Sequence, residues 1–153
     1  MWPDIDINRF KLIVFDVDGT ILQLHYELDP FTQSVLLDLK DMGFAITLAT
    51  GKNMKSTRVV AEKLQIELPL VLSNGCVLQR LDGTIHQKHY LSVGFLQQLI
   101  EECERVELDL AIHIDEDIFV KEVTDNLSIL LDYGSPTLEA VGEWKAINGL
   151  FPK

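Results

Sequence analysis

Two carboxylates, Asp16 and Asp18, directly follow the four consecutive apolar residues Leu12–Phe15 and precede Gly19 and Thr20. The apolar run is typical of a strand that is buried on both faces, as in a parallel sheet. Carboxylates are costly to desolvate without a compensating cation. Two of them at a strand end therefore indicate a site for a divalent cation, and oxygen ligands of this kind favour Mg²⁺. For Asp-Gly alone, an ordinary turn at the strand exit is the alternative interpretation.

The elements that must position these carboxylates alternate in the first part of the chain. Apolar runs predict strands over residues 12–15, 44–49 and 70–72, and helical spacing predicts helices over 30–42 and 54–64. Short connections between alternating strands and helices are typical of a parallel, doubly wound sheet with right-handed crossovers. The sequence therefore predicts an α/β fold with a parallel sheet at its centre.

Polar strings that contain glycine follow each of the three predicted strands. After the string that begins at Asp16, the second strand is followed by Thr50-Gly51-Lys52 and the third by Ser73-Asn74-Gly75. In parallel sheets of this kind, ligands bind at the carboxyl ends of the strands. Each string alone could be a turn, but their agreement predicts a single site at one edge of the sheet.

The pattern changes after Gly75. Asp82-Gly83 lies between two short β-like runs, 77–79 and 84–89, and indicates a hairpin. A helix is predicted over 93–104, followed by strands over 110–114 and 118–121 and by short helices near 126–131 and 136–144. We expect a domain boundary near residues 87–92, which divides the chain into domains 1–88 and 89–153.

Composition limits the classes of partner. The 153 residues carry a formal net charge of -11, which disfavours non-specific binding to nucleic acid or to anionic membranes because like charges repel. No apolar run is long enough to span a bilayer. Cys76 and Cys103 have no metal-like spacing and are interpreted as reduced thiols of a cytoplasmic protein.

The motifs resemble those of the haloacid dehalogenase superfamily of phosphohydrolases. Asp16-Val17-Asp18-Gly19-Thr20 matches the first motif of that superfamily, and Thr50-Gly51 matches its second. Asn74-Gly75, followed by a hairpin and an α/β insertion, resembles the Cof-like branch of sugar-phosphate phosphatases. The resemblance implies a Rossmann-type parallel core, of which this chain holds the N-terminal part, followed by a partial α/β cap.

By this resemblance, Asp16 is the nucleophile that forms an aspartyl-phosphate, and Asp18 is the general acid and base. Mg²⁺ would be held by the Asp16 carboxylate and the backbone carbonyl of Asp18. The substrate would be a small phosphorylated metabolite such as a sugar phosphate, whose identity the cap would determine.

The resemblance also implies a set of residues that contact the phosphate: Gly19, Thr20, Thr50, Gly51, Lys52 and Asn74. Thr50 would donate its hydroxyl to a phosphoryl oxygen, and Gly19 would let the backbone approach closely. Lys52 occupies a position where relatives often carry arginine, and a solvated lysine at a helix entry is favoured over a substrate contact. Thr20 is either a loop hydroxyl or a group that orients a carboxylate.

Two motifs of the superfamily have no counterpart in the sequence. These are a lysine that neutralises the nucleophile and an acidic Gly-Asp string that completes the Mg²⁺ shell. We therefore expect a chain truncated within the cap, with impaired phosphatase activity. The alternative is a non-catalytic remnant or interaction module. The incomplete sheet would also expose an apolar edge, through which the chain could form a homo-oligomer.

Overall fold

A computed structural model describes residues 9–22, 27–132, 138–147 and 149–150 of the chain. Contacts between Cα atoms divide it into two compact units, Met1–Lys88 and His89–Lys153. Among the described residues, no helix has the length and apolar character needed to cross a membrane.

The first unit is built around parallel strands. Strand β1 (Leu12–Phe15) pairs in parallel with β2 (Ala45–Leu48), with Leu12 opposite Ala45 and Phe15 opposite Leu48. An isolated parallel bridge between Ala49 and Val71 connects β2 to β3 (Leu70–Leu72). Helices α1 (Pro30–Asp41) and α2 (Met54–Lys63) connect these strands.

Each connecting helix begins at a side-chain cap. The carboxylate of Asp29 accepts hydrogen bonds from the backbone N–H groups of Phe31 and Thr32, and Pro30 occupies the first helical position of α1. Asn53 caps α2 by accepting from the backbone N–H of Ser56. These caps determine where each helix starts after the preceding loop.

Both helices pack on the same face of the sheet. The buried core of this unit combines Leu36 of α1 and Val60 of α2 with Ile46 and Leu48 of β2. When strands lie side by side in sequence order and are joined by right-handed crossovers, the connecting helices lie on one face of the sheet. The order β1-β2-β3 therefore accounts for this packing.

The opposite face of β1 is open, which corrects the expectation of a strand buried on both faces. Leu12 is 47% exposed and Val14 is 49% exposed, whereas Phe15, whose side chain alternates to the other face, packs against the core. Among the described residues, β2 is the only strand that pairs with β1. The apolar run of β1 is thus an edge strand with one covered face.

An antiparallel hairpin completes the first unit. Strand β4 (Val77–Gln79) pairs with both β3 and β5 (Ile85–Lys88), and the predicted turn at Asp82-Gly83 lies between β4 and β5. Gly83 has a φ of 92°, a conformation that favours glycine. The guanidinium of Arg58 donates to the carbonyl of Leu81 at 3.0 Å and anchors the hairpin to α2.

The second unit is a separate α/β body. Its elements are α3 (Val93–Arg105), β6 (Ala111–Ile114), β7 (Asp117–Val120), α4 (Asp125–Asp132) and β8 (Leu138–Ala140). The strands form a sheet in the order β6-β7-β8, antiparallel and then parallel. Its core contains Leu96, Ile112, Phe119, Trp144 and Ile147.

The prediction of a helix near residues 136–144 is wrong where the structure describes that segment. Residues 138–140 form β8, whose backbone pairs with β7, and a 3₁₀ turn covers Trp144–Ile147. Pairing with an existing strand outweighed the weak helical pattern of a short segment. Residues 136 and 137 lie outside the described residues.

Candidate active site

Hydrogen bonds join the ends of β2 and β3. The backbone N–H of Thr50 donates to the carbonyl of Val71 at 2.9 Å, and the Thr50 carbonyl accepts from the N–H of Asn74 at 3.1 Å. The carbonyl of Lys52 accepts from the N–H of Ser73 at 3.0 Å. The strings Thr50-Gly51-Lys52 and Ser73-Asn74-Gly75 therefore lie side by side.

The loop after β1 presents Asp16 to solvent. The carbonyl of buried Val17 accepts hydrogen bonds from the N–H groups of Ile21 and Leu22, at 3.1 and 2.9 Å, so the loop winds tightly around this group. Asp16 is exposed at the end of β1. The Thr20 hydroxyl donates to Oδ2 of Asp16 at 3.0 Å. This hydrogen bond is the contact expected of a Thr20 that orients a carboxylate.

Gly19 has a φ of 72°, in the left-handed region, and a Cβ at this position would meet no atom within 4 Å. The requirement for glycine at this point of the loop is therefore conformational, because L side chains rarely adopt this backbone geometry. Its N–H donates to the Leu22 carbonyl at 2.8 Å, which fixes the loop.

An ion pair links the end of β1 to the end of β2. The ammonium of Lys52 lies 2.9 Å from Oδ1 of Asp18, and the Lys52 side chain is only 10% exposed. The favoured interpretation of Lys52 as a solvated lysine is therefore wrong. Its aliphatic part is buried, and its charge is directed at a carboxylate of the site.

Thr50 is buried, with 5% of its surface exposed. Its hydroxyl oxygen accepts a hydrogen bond from the backbone N–H of Lys52 at 3.2 Å. Because a hydroxyl has one proton of its own to donate, this contact leaves the Thr50 proton for another acceptor. A phosphoryl oxygen is such an acceptor.

Asn74 occupies an unusual backbone conformation beside Gly51. Ser73, Asn74 and Gly75 have consecutive φ values of 50°, 54° and 91°, and positive φ at non-glycine residues is often found at functional sites. The Asn74 Oδ1 would lie only 3.1 Å from a Cβ added at Gly51. The absence of a side chain at Gly51 lets the Asn74 amide lie against the backbone of the second motif.

The oxygen ligands at this edge are of the type that a hard divalent cation binds, but they are too few to fill its coordination shell. Asp16 and Asp18 supply carboxylate and carbonyl oxygens, the ligands that Mg²⁺ prefers. Within the described ranges, no group of three or more His, Cys, Asp or Glu side chains is arranged to hold a metal. These two residues would therefore complete part of a Mg²⁺ shell.

Asn53 was not identified from the sequence as a contributor to this edge, and Ser73 was identified only as part of the polar string after the third strand. Asn53 is buried and caps α2, and its position immediately before a helical pattern is a signal that could have revealed it. Ser73 has a positive φ and bonds to Lys52 through its backbone, which no side-chain pattern indicates. His25, which follows the first motif in the sequence, lies outside the described residues.

Sequence comparison matches residues 13–140 to the haloacid dehalogenase-like hydrolase family. The HMP-PP phosphatase of Shigella flexneri is 29% identical over 75 residues, which cover 49% of this chain and 28% of that protein.

Solved structures share the fold. A haloacid dehalogenase-like hydrolase from Bacteroides thetaiotaomicron superposes with a TM-score of 0.79 at 17% identity, over 90% of this chain and 54% of that one. A sugar phosphatase of haloacid dehalogenase subclass IIB gives a TM-score of 0.71 at 18% identity, over 86% of this chain and 52% of the other. The predicted α/β fold is confirmed. The chain spans about half the length of these neighbours.

Proposed function

Because the chain belongs to the haloacid dehalogenase-like hydrolases, we propose that its first unit carries the nucleophile half of a phosphatase site for small phosphate esters such as sugar phosphates. The phosphoryl group passes through an aspartyl-phosphate on Asp16. The observation that carries this proposal is the exposed Asp16 carboxylate at the end of β1, oriented by Thr20 and adjacent to Asp18. Phosphatases among the relatives support it.

The chain's own residues have separate roles in the reaction. A carboxylate oxygen of Asp16 attacks phosphorus, and the bond from phosphorus to the leaving oxygen breaks. Asp18 donates a proton to the leaving alkoxide, then accepts one from the water that hydrolyses the acyl phosphate. Thr50 donates its remaining hydroxyl proton to a phosphoryl oxygen, and the backbone at Gly19 and Gly51 approaches the phosphate closely. The Asn74 amide contributes a further donor.

Mg²⁺ is the implied cofactor. The Asp16 carboxylate and the backbone carbonyl of Asp18 would hold it. When bound, it reduces the repulsion between the anionic carboxylate and the anionic phosphate. Because these residues complete only part of its shell, we expect weak Mg²⁺ binding by this chain and turnover well below that of a complete site.

Beryllium fluoride, a mimic of an acyl phosphate, tests the role of Asp16. With Mg²⁺ present, ¹⁹F NMR of the full chain should detect a bound beryllium fluoride species, and the Asp16→Asn variant should lose it. Turnover of p-nitrophenyl phosphate, measured in parallel, should be slow and should disappear in the same variant. A bound species that persists in Asp16→Asn would overturn the assignment of the nucleophile.

A non-catalytic interaction module is the second candidate. It is favoured by the absence of a third metal-ligating side chain near Asp16 and Asp18 in the described part of the chain. Isothermal titration calorimetry with Mg²⁺ distinguishes the two candidates. A phosphatase site predicts Mg²⁺ binding that weakens in Asp16→Asn, whereas an interaction module predicts no Mg²⁺ binding.

The unit His89–Lys153 is proposed to be part of an α/β cap that selects the substrate, and the unit Met1–Lys88 to be part of the catalytic core.

The free thiols of Cys76 and Cys103 support a reducing compartment, the cytoplasm. The open edge of β1 is proposed to pair with a second copy of the chain.

A further inference from the structure

The ion pair between Lys52 and Asp18 is largely shielded from solvent on the lysine side. The Lys52 ammonium lies 2.9 Å from Oδ1 of Asp18, while the side chain of Asp18 is 32% exposed and that of Lys52 is 10% exposed. The contact therefore combines a nearly buried cation with a half-buried carboxylate. It differs from an exposed surface pair, in which solvent screens most of the attraction.

Oδ1 of Asp18 is itself buried, and no donor among the described residues makes a directed hydrogen bond to it. A buried carboxylate oxygen without compensation is unfavourable. The charge of the nearby ammonium is thus the compensation present in this structure. Because Oδ1 is buried, the exposed part of the Asp18 side chain belongs to its remaining atoms, which leaves the second carboxylate oxygen for chemistry.

The backbone of Lys52 is held on both sides. Its N–H donates to the Thr50 hydroxyl at 3.2 Å, and its carbonyl accepts from the Ser73 N–H at 3.0 Å. The next residue, Asn53, is the buried cap of α2. Because the backbone of Lys52 is fixed, less conformational entropy is lost when its ammonium is oriented toward Asp18.

We infer that Lys52 is a positioning residue for Asp18, holding one carboxylate oxygen so that the other faces the reacting group. This inference rests on the proposed function of Asp18 as the proton donor and acceptor. The physical reason is that proton transfer requires a carboxylate in a defined direction, and a misplacement of about 1 Å can cost about 10²-fold in rate. Lys52 acts through Asp18 and needs no contact with substrate.

The test compares the wild-type chain with Lys52→Met and Lys52→Arg. Lys63→Met, which removes an exposed lysine at the other end of α2, is the matched control. The first measurement is the ¹³Cγ resonance of Asp18 at pH 7, assigned with Asp18→Asn. We expect this resonance to move in Lys52→Met, to stay close to the wild-type position in Lys52→Arg, and to be unchanged in Lys63→Met.

The second measurement is the steady-state kinetics of a phosphate ester with Mg²⁺. Lys52→Met should lower kcat by about 10²-fold with KM little changed, and Lys52→Arg should restore most of the loss. A rise in KM with kcat intact would instead make Lys52 a substrate-binding cation and overturn the positioning role. An unchanged Asp18 resonance in Lys52→Met would also overturn it.

The two measurements separate this inference from the proposed function. If no variant turns over ester and beryllium fluoride does not bind, the proposed function fails, while a displaced Asp18 resonance still supports the ion pair as the device that orients the carboxylate. If Lys52→Met does not fold, Lys52→Gln replaces it, because glutamine keeps a polar donor and removes the charge. The same resonance then decides the result.

Discussion

At the scale of single residues, the candidate site depends on a few contacts that orient charged groups. Thr20 orients Asp16, and Lys52 compensates a buried oxygen of Asp18. Gly51 leaves room for the Asn74 amide. Each contact is individually small, but a reaction that develops charge at one point is sensitive to the direction of every donor and acceptor around it.

Replacing Thr20 with valine tests the hydrogen bond to Asp16. Valine has the same shape but no hydroxyl, so the Asp16 carboxylate loses one donor. Because Thr20 is exposed, stability should change by less than about 0.5 kcal/mol. Turnover should fall about tenfold, as expected for the loss of one hydrogen bond worth roughly 1.5 kcal/mol in orienting a charged group. Thr20→Ser, which keeps the hydroxyl, should retain most activity. Equal rates for the valine and serine variants would contradict the orienting role.

Replacing Gly51 with alanine tests the contact with Asn74. The added Cβ would lie 3.1 Å from Oδ1 and 3.4 Å from Nδ2 of Asn74, so the amide must move by a few tenths of an ångström. Binding of inorganic phosphate, measured by calorimetry in the presence of Mg²⁺, should weaken.

The matched control for this variant is Gly94→Ala, in the first turn of α3, where an added Cβ meets nothing within 4 Å. It should leave phosphate binding unchanged and raise stability by about 0.4–1 kcal/mol. Undiminished phosphate binding by Gly51→Ala would show that the Asn74 amide takes no part in the site.

At the scale of elements, caps and strand ends set the positions of these residues. Asn53 starts α2 immediately after Lys52, so the helix cap and the ion pair are adjacent in sequence. Asp29 starts α1, whose Leu36 packs in the core beneath β2. A change at a cap should therefore affect the sheet edge through the helix.

The cap at Asp29 predicts a dependence of stability on pH. Hydrogen bonds from the Thr32 hydroxyl and backbone N–H hold the pKa of Asp29 below its ordinary value of 3.8. The native state therefore favours the ionised carboxylate. This contribution to stability is present above pH 3.8 and is lost as the pH falls through the lower pKa of the folded state.

Thermal unfolding of Asp29→Ala and Asp29→Asn checks this prediction. The alanine variant should unfold at a lower temperature than wild type at pH 7, and the difference should shrink below pH 3.8, because the protonated cap is weaker. The asparagine side chain is not charged but still accepts hydrogen bonds, so Asp29→Asn should keep much of the cap at every pH. A difference between wild type and Asp29→Ala that stays constant down to pH 2 would exclude the carboxylate as its source.

At the scale of the whole molecule, the first unit leaves one face of its edge strand β1 open. Leu12 and Val14 project from the open face of β1, and the free edge of β1 presents backbone groups that no described strand pairs. Such an edge is a template for another strand. The net charge of -11 opposes contact between two copies, so self-association should strengthen with ionic strength.

Sedimentation velocity of wild type, Val14→Lys and Val59→Lys checks whether the edge is used. Wild type should sediment partly as a dimer at about 0.5 M salt, where charge repulsion is screened, and Val14→Lys should sediment as a monomer because a lysine on an edge strand blocks pairing. Val59, on α2, is 60% exposed, and its lysine variant should behave as wild type. A monomer at all salt concentrations would remove the edge as a self-association surface.

Much of the fold was predictable because the local signals agree with one another. Asp29 and Pro30 begin the first helix, Gly43 follows its C-terminal cap with a positive φ, and Asp82-Gly83 lies where the hairpin turns. The weak pattern near 136–144 failed because pairing with β7, which is distant in sequence, determined the conformation of Leu138–Ala140. The exposure of Leu12 was not predictable either, because an apolar run predicts that a strand is buried but not which other elements cover it.

The sequence by itself determined the chemistry available to this protein: two carboxylates after an apolar strand, and two further polar strand ends with threonine, glycine and asparagine. Residue type and spacing along the chain carry that information. Only the tertiary structure decided how these groups pair, with Thr20 on Asp16 and Lys52 on Asp18. The physical reason is that an ion pair between the ends of two strands depends on through-space distance and burial, which arise from packing the strands together.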